Sequence, residues 1–212
     1  VSESDGTDDT APDAAALLAE IPLLYRARAF ADALHGTHFL QRLGEPLDAR
    51  DRALAQAYLD GLGFPDAEAA QVESWEDAAQ AAATLDMNAP GWEAEEQLRA
   101  SATEAALATL SEEALAAGLA LVAEKAGDAA RAAVAEASAL WDVEDHELLT
   151  ALAGAIAQAA NQAALALMAA DDEALAESDE PTLLDHPFMA KFRLFARGRW
   201  PLGLAGQTLN VF

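Results

Sequence analysis

Cysteine is absent from the 212 residues, which excludes disulfides, thiolate metal sites and a cysteine nucleophile. Basic residues are scarce: two lysines and ten arginines stand against 37 acids, for a net charge of −25. Nucleic acid is not expected as a partner, because its phosphates need a basic footprint. The phosphate loop, the dinucleotide glycine pattern, the zincin helix and the serine elbow are all missing. Neither His146 nor His186 has a Glu three residues before it, so the paired Glu-x-x-His steps of a ferritin-like di-metal bundle are missing too. No leader of charged, then apolar, then small residues is visible, and a cytoplasmic location is the expectation.

Asp32, His35 and His38 have metal-like spacing, but a zinc site needs three or four ligands in near-tetrahedral geometry and no further ligand is nearby. Helix-end histidines explain the spacing more simply. Neither a metal nor a cofactor is expected.

The acid excess favours solubility and opposes compaction by self-repulsion. The acids are scattered along helices and not set in phosphate-like rows. That distribution favours adaptation to a salty cytoplasm over mimicry of nucleic acid. Acids at helix starts, such as Glu93, Glu95 and Glu96, read as a solvated face favoured by the helix dipole; catalysis would require a pocket and a shifted pKa.

One long apolar run is present, Glu147 to Ala170, without proline and without charge after its first residue. Alanine and leucine dominate it, and both are strong helix formers. As a helix it would run roughly 36 Å at ~1.5 Å per residue. Leu149, Leu152, Ile156, Ala160, Ala163 and Leu167 fall on one face. Such a helix is expected at the centre of a domain. Its length would also suit a membrane span. The alanine content, the amides in its second half and the acidic flanks argue against one, and no membrane partner is expected. Gly154, Gln158, Asn161 and Gln162 form a narrow polar face. It reads as a structural amide network or, alternatively, as the lining of a ligand pocket.

Residues 1–13 carry five acids and no base and read as a solvated, disordered tail. Pro22 is expected to separate a short helix, 14–19, from a second one reaching Leu34. Thr37 to Leu43 reads as a further short turn of helix. Asp48 to Leu59 follows as a helix, and Ser74 caps another with Asp77 in the capping-box position. Asn88 to Gly91 breaks the pattern before a long helix from Trp92 to Leu110. Ser111 caps a helix expected to stop at Gly127, with Asp128 capping its successor to Trp141. Asp171 to Glu180 is acidic and frayed in character.

From His186 to Phe212 there are four cations and no acid. Phe188, Phe192 and Phe195 share a helix face, and Gln207 to Phe212 reads as a short strand or extended arm. Lys191, Arg193, Arg197, Arg199 and Trp200 are the candidate partner-binding residues. The segment could be a membrane-surface helix, an arm for an acidic partner, or the part that completes the protein's own core. Burial of large apolar residues favours the third.

The expected architecture is all-α: a multi-helix bundle around helix 147–170, comprising an acidic tail (1–13), a helical domain (14–185) and a basic-aromatic helix and arm (186–212) packed on that domain. In size and acidity the chain is similar to all-helical maturation chaperones of bacterial redox enzymes. Their motifs do not align along it, so no residue is carried over. The expected function is non-enzymatic: binding of another protein, or self-association, as an assembly or regulatory factor. The alternative is a small-ligand binder or enzyme with a polar pocket at Gln158, Asn161 and Gln162.

Salt screens like charges to within ~8–10 Å at ordinary ionic strength. The melting temperature should therefore rise from low to molar KCl, as followed by circular dichroism. A flat or falling curve would contradict the role assigned to the −25 charge.

Overall fold

The computed structural model describes residues 14–84, 89–170 and 184–212, with 14–20 described by backbone alone. The expected acidic tail, Asn88 and the acidic stretch 171–180 lie outside the described residues; of the expected break from Asn88 to Gly91, Pro90 and Gly91 instead open a helix, because proline is tolerated in a first turn. Seven α-helices and one three-stranded sheet are found among the described residues. They are α1 (Ala14–Ala33), α2 (Ala49–Gly61), β1 (Glu68–Gln71), α3 (Trp75–Ala83), α4 (Pro90–Leu107), α5 (Glu112–Trp141), α6 (His146–Ala169), α7 (Pro187–Ala196), β2 (Pro201–Ala205) and β3 (Thr208–Val211). The fold is a multi-helix, mostly all-α one with a short extended C-terminal arm.

Helix α6 is central. Asp145 caps it, its carboxylate accepting from the backbone N–H groups of Glu147 and Leu148 at 3.1 and 3.0 Å. Leu149, Leu152, Ile156, Ala160, Ala163 and Leu167 are all buried. Its length and mean hydropathy would allow a membrane span, yet 61% of its most apolar window is buried inside this fold. Its most extensive partner is α5.

Two expected breaks are absent. Gly127 does not end a helix: α5 runs unbroken for 30 residues. A mid-helix glycine costs only about 1 kcal/mol. Val122, Ala126, Ala130, Val134 and Ala137 bury one continuous stripe across it, and this outweighs that cost. Asp128 accordingly caps nothing and pairs with Arg131 on the surface. Pro22 likewise lies inside the continuous α1, on an exposed turn. The stripe Leu23, Ala27, Phe30 and Ala31 is buried, which offsets the lost backbone donor.

Thr37 to Leu43 is not helical. After a 3-10 turn at Leu34–Gly36 the chain passes through turns, with Leu40 at φ 63°. This path buries Phe39, Leu40 and Leu43 together, which a single helical face could not do.

Strand β1 was not foreseen. It pairs in parallel with β3, Glu68 opposite Thr208 and Gln71 opposite Val211, and β3 pairs antiparallel with β2. The last residue, Phe212, is closed by mutual backbone hydrogen bonds with Trp200 of 2.6 and 2.9 Å. Its ring meets Trp75 edge-on, with centroids 5.3 Å apart.

Helix α7 begins at Pro187 and is capped by His186, whose Nδ1 accepts from the Phe188 N–H at 3.1 Å. Burial holds the His186 pKa below 6.5 against the opposing pull of Asp185, so the ring stays a neutral acceptor at neutral pH. The helix start rests on the end of α2. A Cβ on Gly61 would lie 1.9 Å from Pro187 Cγ, so this close approach requires glycine.

Ala163 is fully buried in α6. Ala163→Glu should lose cooperative folding or several kcal/mol of stability, as expected for an unpaired buried carboxylate. Melting within a few degrees of wild type would contradict the central place of α6.

Candidate functional site

A cleft of about 440 Å³ opens where α2, α4, α6, α7 and the sheet converge. Its walls include Leu62, Trp92, Gln158, Leu202 and Leu204, and its base holds Tyr58, Glu95 and Lys191. Trp92 stands at the rim, 37% exposed.

The base is a charged cluster built from four helices. Glu95 is buried on α4. Its carboxylate accepts from Tyr58 Oη at 3.1 Å, from Gln162 Nε2 at 2.7 Å and from the Lys191 ammonium. Lys191 also donates to Gln162 Oε1 at 3.4 Å and lies 5.6 Å from the centre of the Tyr58 ring. Burial, reinforced by the neighbouring Glu95 charge, raises the Tyr58 pKa well above 10.0. Its phenol therefore keeps its proton and acts as a fixed donor.

Of the candidate pocket amides, Gln158 is exposed and lines the cleft, while Gln162 lies behind the base, bonded to Glu95 and Lys191. Asn161 is half-buried and lines none of this cleft; its side-chain oxygen is buried without a hydrogen-bond partner. Glu95 is not part of a solvated helix face, as its place near a helix start had suggested. Gly91, Glu95, Ala102 and Ala106 make one buried stripe along α4, and that spacing could have revealed it. Its neighbours Glu93 and Glu96 are exposed and bond within the helix to Gln97 and Arg99. Tyr58 carried no signal beyond an apolar stripe in α2.

The C-terminal cations are directed into the protein. Arg199 is fully buried. Its guanidinium donates to Asp51 Oδ2 through Nη2 and Nε at 2.9 and 3.1 Å, to the carbonyls of Glu45 and Pro46 at 2.7 and 2.8 Å, and to that of Arg42. Arg197 donates to Asp51 Oδ1 at 2.6 Å and Asp48 Oδ2 at 2.7 Å. Arg42 joins the same carboxylates from the other side, with Glu45 at 2.9 Å. Trp200 is buried beside Trp75, their ring centroids 6.2 Å apart. Arg193 is half-buried on α7. Arg199 and Trp200 thus serve the interior and not an exposed recognition surface.

Asp51 also belongs to the capping box of α2: Asp48 accepts from the Asp51 N–H at 2.9 Å, and Asp51 accepts from the Asp48 N–H at 3.2 Å. Gly198, at φ 84°, turns the chain into this network, and a Cβ there would lie 2.8 Å from the Arg42 nitrogen.

Asp32, His35 and His38 line a separate groove beside α5, and no group among the described residues is arranged to hold a metal ion. No family model, no curated protein and no solved structure matches the chain.

Burial pushes the Asp51 carboxyl up, but hydrogen bonds from Arg197, the Asp48 backbone and Arg199 outweigh it and hold the pKa below 3.8. The stability this supplies is complete above that value and is lost as pH falls through the depressed native pKa. Asp51→Asn should remove this acid-linked step. It should also cost about 3–5 kcal/mol at neutral pH by leaving a buried charge unpaired, as read from urea denaturation at neutral pH and at about pH 3. A variant as stable as wild type at neutral pH would contradict the network's role.

Proposed function

We propose that this chain is a non-enzymatic, cytoplasmic, salt-adapted protein that binds another protein, as an assembly or regulatory factor, and receives an anchoring side chain of that partner in the cleft between α4, α6 and β2. The observation that carries this reading is Trp92, partly exposed over a concave wall of Leu62, Leu202 and Leu204. Interface energy concentrates where large side chains meet such pockets. The base offers little for catalysis: Glu95 is engaged by three donors, and the Tyr58 phenol holds its proton. A nucleophile paired with a general base is not found there.

A second reading, a small-ligand site, is favoured by the polar base itself. Gln158 and Lys191 line the cleft, and a few convergent polar groups in an apolar pocket are typical of ligand sites.

A photo-crosslinking residue placed at Trp92 in the native host separates the two. The protein-binding reading expects one dominant protein adduct, absent when the same residue replaces Arg131 on the far exposed part of α5 and lost on Leu204→Ala. No adduct, together with a small molecule retained on the purified protein in native mass spectrometry, would establish the ligand reading instead.

A further inference from the structure

We propose that a second groove, between α1, α2 and α7, is a binding site for a small organic oxyanion: a carboxylate or phosphate ester carried on an apolar body. The groove holds about 340 Å³, within the range of small-ligand sites. Its floor is apolar and aromatic. Phe30 and Phe192 meet edge-on with centroids 4.9 Å apart, and Leu54 lies beside them. Arg50, Arg193 and Arg197 line the same groove, and no carboxylate among the described residues does. In a chain with 37 acids and only 12 bases, three arginines line one pocket, one of them, Arg197, already paired with Asp48 and Asp51.

The arginines suit an oxyanion in different ways. Arg197 is held in place by Asp51 and Asp48, which engage its Nε and Nη2. A fixed guanidinium loses little freedom when it binds a carboxylate or phosphate. Arg50 is exposed and forms no ion pair with a described residue; only its backbone N–H is used, in the α2 cap. It can close over a ligand without breaking an internal contact. The arrangement selects a head group that accepts charge-assisted hydrogen bonds and a body that fits an apolar floor in which Phe30 and Phe192 are themselves buried. This site shares no lining residue with the cleft proposed for a protein partner and does not depend on it.

The test is calorimetric titration of the full chain, in one buffer, with 4-phenylbutyrate, phenyl phosphate, the neutral 4-phenylbutanol and inorganic phosphate. One or both aromatic oxyanions should bind at least about tenfold more tightly than the alcohol and than inorganic phosphate. Whichever binds more tightly assigns the head group as carboxylate or phosphate. Arg50→Glu should weaken that binding by about tenfold or more. Arg52→Glu, the same charge change on the same helix but outside the groove, should leave it nearly unchanged. The proposal is overturned if no probe binds at millimolar concentration, if the alcohol or inorganic phosphate binds as well as the aromatic oxyanions, or if Arg50→Glu and Arg52→Glu have equal effects.

Discussion

The buried pair of Arg199 and Asp51 is the constraint on which the C-terminal half of the architecture depends. Neither side chain has any solvent-exposed surface. Removing two charges from water costs several kcal/mol each, so the pair persists only where further hydrogen bonds complete it. Here they do: Arg199 reaches three backbone carbonyls, and Asp51 receives its own helix cap and Arg197. One carboxylate therefore starts α2, fixes the turn before it and holds the end of α7. The strand that follows, β2, is positioned next to β3, and the sheet closes on Phe212.

The rest of the packing relies on small residues. Alanines on α5 and α6 let the two long helices approach closely over most of their length. The large buried side chains of α6, such as Leu152, Ile156 and Leu167, are met by Phe188, Phe192 and Phe195 of α7. Burial of a large apolar side chain contributes roughly 1.5–3 kcal/mol, which exceeds what exposed ion pairs supply. Helix α7 is therefore held chiefly by its phenylalanines, and its cations add direction.

That division of labour separates two concave sites on different faces of one helix. Lys191 points toward the cleft with Glu95, whereas Phe192, Arg193, Ala196 and Arg197 line the arginine groove. The first has a neutralised base under an apolar rim. The second is lined by Arg50, Arg193 and Arg197 around an apolar floor. A chain with so few cations has placed all four of the C-terminal ones at these two sites and in the buried network with Asp51.

Much of the helical framework was legible in the residues. The run 147–170 shows one apolar stripe with no breaker, and that pattern suffices for a buried helix wherever it packs. Ser74 with Asp77 announced a helix start, because capping is a contact between near neighbours. Gly127 and Pro22 misled, because their local costs, about 1 and about 3 kcal/mol, are set against tertiary burial that a local reading does not contain. The candidate site was legible in part. Gln158 and Gln162 were picked out as polar positions on an apolar helix, but Glu95, which accepts from Gln162, and Tyr58, which donates to Glu95, come from helices far away in sequence. By itself the sequence determined the helix class, the acidic surface and the aromatic character of the C-terminal segment, all of which follow from composition and short-range periodicity. The tertiary structure alone decided that β1 pairs with β3, that Arg199 faces inward to Asp51 and that Glu95 meets Lys191, because each joins residues from distant parts of the chain whose pairing no local pattern encodes.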